Sequence, residues 1–153
     1  MSIRVLFACH GNICRSVMAQ FVLQDMVNRR GLAAQFLIDS AATSREELGN
    51  GPHYGVRQKL RETGVPVLAH RARQIVPADY ARYDMLIGMD RANLQNMRRM
   101  FGGDPAGKCS MLLDYTARPG EIADPWYTGN FDETYNDVLE GCTALLERLR
   151  GKP

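Results

Sequence analysis

The sequence predicts an α/β domain: a doubly wound, four-stranded, mainly parallel sheet with helices on both faces and a phosphate-binding loop after the first strand. Three observations predict it. Short apolar runs alternate along the chain with amphipathic stretches of helical length. The connections between successive strands are long enough for right-handed crossovers, which parallel pairing requires. The first apolar run leads straight into Cys9-His10-Gly11-Asn12-Ile13-Cys14-Arg15-Ser16, and ligands of such sheets sit beyond the carboxyl ends of the strands.

Residues 3–8 form the first strand, a continuous apolar run broken only by Arg4. A helix is expected over 16–30, where Val17, Phe21, Met26 and Val27 recur near helical spacing and Gly31 provides the stop. Residues 36–41 form the second strand and 52–63 the second helix, ended by Gly64. Residues 77–82 suit a short helical turn. Met85-Leu86-Ile87 is the core of the third strand, and Asp90 can cap the helix that runs to about Met100. Gly102-Gly103-Asp104-Pro105 is a turn, and 109–113 is the fourth strand. A long loop over 115–129 holds Pro119-Gly120 and Asp124-Pro125; loops of that length are commonly functional. The last helix, 130–150, carries Phe131, Tyr135, Val138, Leu139, Cys142, Leu145, Leu146 and Leu149 on one stripe.

A chain of 153 residues suits one domain spanning 1–153. A net charge of +2, with Arg pairs only at Arg29-Arg30 and Arg98-Arg99, does not indicate a nucleic-acid partner. No apolar run approaches the roughly 18 residues needed to cross a bilayer, so no membrane partner is expected. No secretion signal is visible at the amino end, which points to the cytoplasm and to reduced thiols. Cys9, Cys14, Cys109 and Cys142 form no C-x-x-C pair, so neither a zinc ribbon nor a thioredoxin-type motif is expected.

The chemistry concentrates on the first loop. Backbone N–H groups and a helix N-terminus attract a dianion. The same field favours the thiolate of Cys9, the proposed nucleophile, over a merely buried strand-end cysteine. Arg15 offers a planar fork of donors to phosphate oxygens. Gly11 allows a positive φ and close approach of backbone to ligand. Asn12 suits a left-handed loop residue braced by side-chain hydrogen bonds. Ser16 can donate to the Cys9 sulfur or cap the helix. A leaving oxygen needs a proton, and Asp124 in Asp124-Pro125-Trp126-Tyr127 is the best candidate acid, with Trp126 and Tyr127 as walls for a flat ring.

Cys9-x5-Arg15-Ser16 near the N-terminus, with Asp124-Pro125-aromatic-Tyr127 near the C-terminus, resembles the low-molecular-weight protein tyrosine phosphatases. Asp39-Ser40-Ala41 and His70-Arg71-Ala72-Arg73 recur at similar places in that family, so the likeness covers nearly the whole chain. The resemblance implies a phosphocysteine intermediate on Cys9, stabilisation of the phosphoryl group by Arg15, and Asp124 as general acid, then general base. It implies a phosphate-binding loop of His10, Gly11, Asn12, Ile13, Cys14 and Ser16. It also implies a supporting hydrogen-bond network of Asn12, Ser16, Ser40 and His70. His10, Leu48, Trp126 and Tyr127 would form the substrate pocket. Cys14 would form a reversible disulfide with Cys9 under oxidation. No cofactor or metal is implied. The expected partners are tyrosine-phosphorylated proteins, with phosphate and similar oxyanions as inhibitors. Val17 replaces the proline usual after the Arg-Ser pair, Ala42 replaces a glycine, no tryptophan stands near Leu48, and His10 occupies a position that is often aliphatic.

Two other activities belong to the same scaffold. A thiol-dependent arsenate reductase needs resolving cysteines, whereas Cys109 and Cys142 read as core residues. A phosphoarginine phosphatase is associated with Thr at the position held by Ile13, and an apolar side chain suits an aromatic ring better than a guanidinium. A phosphate-binding module without catalysis is disfavoured by the joint presence of Cys9, Arg15 and Asp124.

Overall fold

The computed structural model describes residues 2–150. Four strands, β1 (Ile3–Cys9), β2 (Phe36–Ala42), β3 (Met85–Gly88) and β4 (Cys109–Met111), form one sheet in the order β2-β1-β3-β4. All three pairings are parallel. The helices are α1 (Arg15–Arg29), α2 (Tyr54–Thr63), the one-turn α3 (Asp79–Arg82), α4 (Arg91–Phe101), the one-turn α5 (Pro125–Thr128) and α6 (Phe131–Arg150).

Alternation along β1 divides the core. Val5 and Phe7 face the larger cluster with Val17, Phe21, Leu145 and Leu146 from α1 and α6. Leu6 and Ala8 face the smaller cluster, with Ile75, Tyr83, Leu86 and Met97. Both faces of the sheet are therefore covered, as a doubly wound fold requires.

Besides shifts of one or two residues at other helix and strand ends, two features depart from the sequence reading. β4 ends at Met111, because Asp114 turns back to accept a hydrogen bond from the Met111 N–H (2.8 Å) and residues Leu112–Tyr115 wind into a 3₁₀ turn. The loop before α6 contains α5, a single turn started by Pro125 at its first position and by Asp124 as N-cap.

The chain leaves β1 towards β2 on one side and returns to β3 on the other. The crevice at the carboxyl ends of β1 and β3 is thus the point where strand order reverses, the place where such sheets hold ligands. Cys9 ends β1, and Asp90 lies just beyond β3.

Candidate active site

Asn12 organises the first loop. It is fully buried and is the one non-glycine residue with positive φ among those described, at 60°. Its Oδ1 accepts from the Arg73 backbone N–H (3.3 Å) and faces His70 Nε2 (2.9 Å). An amide N–H can only donate, so the oxygen must face Arg73, and His70 must carry its proton on Nε2. Burial, the largest influence, lowers the His70 pKa and favours that neutral ring. The Asn12 Nδ2 then donates to Ser16 Oγ and Ser40 Oγ, both at 2.9 Å. Ser40 donates its own hydroxyl to Gln20 Oε1 (2.5 Å).

This ordering fixes the surroundings of Cys9. Ser16 has one hydroxyl proton, and its oxygen already accepts from Asn12. The proton is therefore free for Cys9 Sγ, 3.0 Å away, a bond that stabilises a thiolate. Ser16 caps nothing: the N-cap of α1 is Cys14, with no side-chain cap hydrogen bond. The first N–H groups of α1 are thus left uncapped by any side chain. Gly11 does not take a positive φ. Its value is room, since a Cβ there would meet Glu47 Cγ at 3.2 Å.

Arg15 is 3% exposed. Its NH1 donates to Asp90 Oδ2 (2.7 Å) and to the Ile122 carbonyl (3.0 Å), and its NH2 reaches Asp124 Oδ2 at 3.4 Å. Burial alone would lower its pKa; the charges of Cys9, Asp90 and Asp124 outweigh that and raise it, so the guanidinium stays charged. Its Nε is buried with no protein partner. The edge of the fork carrying that N–H is the one suited to an oxyanion. Asp124 Oδ1 accepts from the Trp126 N–H (3.0 Å), so this carboxylate also starts the turn that carries the aromatics.

One pocket is lined by Cys9, Gly11, Ile13, Asp124, Trp126 and Tyr127, together with His10, Cys14, Glu46 and Glu47. A model of the low molecular weight phosphotyrosine protein phosphatase family matches residues 4–153. The chain belongs to this family. The low molecular weight protein-tyrosine-phosphatase YfkJ of Bacillus subtilis is 37% identical over 150 residues, 97% of this chain and 96% of the relative. Its crystal structure matches with a TM-score of 0.95 at 36% identity, covering 98% of this chain and 96% of that one. The human low molecular weight phosphotyrosine protein phosphatase is 35% identical over 149 residues, 94% of each chain. The crystal structure of a Drosophila arginine phosphatase matches with a TM-score of 0.90 at 28% identity, covering 99% of this chain and all of the other.

Within this phosphatase the expected residues converge, with one exception. Leu48 is exposed and does not line the pocket. Asn50 Nδ2 bonds Glu47 (3.0 Å) and the Gly49 N–H bonds the Ala72 carbonyl (2.9 Å), which pins the loop with Glu47 inward. Glu46 pairs with His10 at the rim. The sequence also offers no site role for Asp90, legible only as a helix cap, for Gln20 or for Arg73. Asp90 could have been found from topology: it follows β3, the strand beside β1, and combines N-capping of α4 with the Arg15 ion pair. Cys109 and Cys142 are buried and neither lines the pocket. Among the described residues no helix is long and apolar enough to cross a membrane, and no three His, Cys, Asp or Glu side chains converge to hold a metal ion.

Proposed function

We propose that this phosphatase hydrolyses phosphotyrosine monoesters in proteins through a phosphocysteine intermediate, with Cys9, Arg15 and Asp124 as its catalytic residues. The observation that carries the reading is that Cys9 and Asp124 line one pocket while Arg15, buried and charged, holds an unpartnered N–H. Cys9 thiolate attacks phosphorus in line as the ester oxygen leaves with a proton from Asp124. Asp124, now a carboxylate, takes a proton from water as that water attacks phosphorus; phosphate departs and the thiolate returns, receiving the Ser16 hydroxyl bond. Arg15 and the loop N–H groups carry the charge of the equatorial oxygens throughout. Free phosphate and related oxyanions compete for the same donors. His10, Trp126 and Tyr127 flank the entering side chain, and Ile13 supports its ring.

Turnover of matched phosphotyrosine, phosphoserine and phosphoarginine peptides tests the reading, with Cys9→Ser as control. Phosphotyrosine is expected to dominate. A second reading, phosphoarginine hydrolysis, draws on the Glu46 and Glu47 carboxylates in the pocket lining and on the likeness to the arginine phosphatase; a larger kcat/KM for the phosphoarginine peptide would select it. EDTA is expected to leave turnover intact, and a strict metal requirement would reject this mechanism.

Cys14, a free thiol lining the same pocket as Cys9, suits a protective role. Burial, then the charges of Cys9 and Asp124, push its thiol well above the ordinary range. Peroxide oxidises Cys9 to a sulfenic acid; Cys14 then displaces water to form the disulfide. The Cys9–Cys14 peptide is expected by mass spectrometry, forming faster as pH rises because the Cys14 thiolate becomes more populated. Its absence after peroxide would reject the role.

A further inference from the structure

His53 lies outside the pocket yet touches both of its halves. Its backbone N–H donates to the Ile13 carbonyl in the first loop (2.9 Å). Its Nδ1 accepts from the Gly55 N–H (2.9 Å), capping α2. Because that N–H can only donate, the neutral ring carries its proton on Nε2. One face of the ring stacks on Phe131 (centroids 5.2 Å, planes 25°), and Trp126 meets it edge-on (5.7 Å, 86°). The packing leaves no slack behind it: a Cβ on Gly55 would fall 2.4 Å from the Phe131 ring. Trp126 in turn donates its backbone N–H to Asp124.

The segment that carries Asp124 has little means of holding itself. α5 is four residues long, too short to be stable without outside contacts. Arg15 reaches the Asp124 carboxylate and Pro125 is buried, while Trp126 rests against the His53 ring. We infer that His53 is a positioning residue for the general acid: its ring ties Trp126, and through it the Asp124 carboxylate, to the loop that holds the nucleophile. This rests on the assignment of Asp124 as the acid.

Two substitutions separate the ring from the cap. His53→Asn keeps an N-capping side chain and removes the ring. His53→Phe keeps the ring and removes the acceptor. The readouts are kcat/KM for aryl phosphates of graded leaving-group quality and the fluorescence anisotropy of Trp126, the single tryptophan of the chain. Positioning predicts that His53→Asn lowers kcat/KM for phenyl phosphate about tenfold, a fraction of what a general acid contributes, and for p-nitrophenyl phosphate less than about twofold. Trp126 anisotropy should fall. His53→Phe should keep the leaving-group dependence and the anisotropy of the parent while melting earlier. In an Asp124→Asn background, His53→Asn should add no further loss.

Equal slowing of both esters by His53→Asn, or an undiminished cost in the Asp124→Asn background, would overturn the inference and reduce His53 to a helix cap. If Asp124→Asn alone slows good and poor leaving groups equally, the acid assignment itself falls and takes this inference with it. Should His53→Asn be too unstable to assay, Phe131→Leu removes the support from the other ring face. The same selective loss is expected there, and an even loss overturns the inference.

Discussion

Between Cys9 and Ser16 the side chains that handle charge are sunk in the core: Asn12 and Ser16 are fully buried and Arg15 nearly so. Between Asp124 and Gly129 the aromatics stand in solvent, Trp126 at 57% and Tyr127 at 81% exposure. The first segment is bound into the protein by hydrogen bonds to Ser40 on β2, with the 70–73 stretch, and through Arg15 to Asp90 and the Ile122 carbonyl. The second is a one-turn helix started by its own acid. The contrast matches the two tasks proposed for these segments. Stabilising a dianion demands donors already in place, because moving them during the reaction would cost what they are meant to supply. Delivering a proton to different leaving groups, at a mouth where a protein substrate must dock, tolerates a lighter hold. Damage to the first region should therefore slow every ester alike, and damage to the second should depend on the ester.

The largest effect should come from Arg15→Lys. Lysine keeps a charge but loses the fork that serves Asp90, the Ile122 carbonyl and the oxyanion together. A loss on the order of 10³ in kcat/KM is expected, equal for good and poor leaving groups, with weaker inhibition by phosphate. A loss confined to poor leaving groups would break the division between the two regions.

Asp124→Asn comes next. It keeps the N-cap acceptor for the Trp126 N–H and removes the transferable proton. Phenyl phosphate should slow by about 10²-fold, with p-nitrophenyl phosphate slowed far less. The test is the slope of log kcat/KM against leaving-group pKa, which should steepen.

The two regions also differ in how far the sequence displays them. The β1–loop–α1 unit is legible because its signals are contiguous: an apolar run, Cys9-x5-Arg15, then helical spacing. Asp124-Pro125 with its aromatics is legible as a motif, but not α5, since four residues leave no period to detect. What holds the first loop is invisible locally. Asn12 meets Ser40, His70 and Arg73 across 28, 58 and 61 residues of chain, and only the parallel sheet brings them together. Ser40 and His70 gain their roles through family likeness; Arg73 stands in the same family run but gains none, because its contribution to Asn12 is a backbone N–H that any residue there could give. Leu48 enters the pocket only through the family resemblance; loop hydrogen bonds turn Glu47 inward instead.

Asn12→Ala sharpens the comparison from the structural side. It removes the donors to Ser16 and Ser40, orphans the Arg73 N–H, and places a Cβ residue without a polar side chain at positive φ. A stability loss of about 2–4 kcal/mol is expected, read as a lower denaturant midpoint. With Ser16 free to turn from Cys9, kcat/KM should fall by about tenfold for all esters alike, since one hydrogen bond of about 1.4 kcal/mol is that factor.

The smallest expected effect concerns pH. Burial holds the His70 pKa below its ordinary value, so near pH 6 the unfolded chain binds more protons at this site than the folded one. Stability must then rise with pH across that interval. His70's contribution is complete above about pH 6.5, the value of a free imidazole, and is lost as pH falls from there through the lower folded value. His70→Gln keeps an amide donor for the Asn12 oxygen and cannot titrate. Its melting temperature should drop less between pH 7.5 and pH 5.5 than that of the parent. An identical drop would mean that His70 is no part of the acid sensitivity, and that the buried network around Asn12 accommodates an imidazolium without cost.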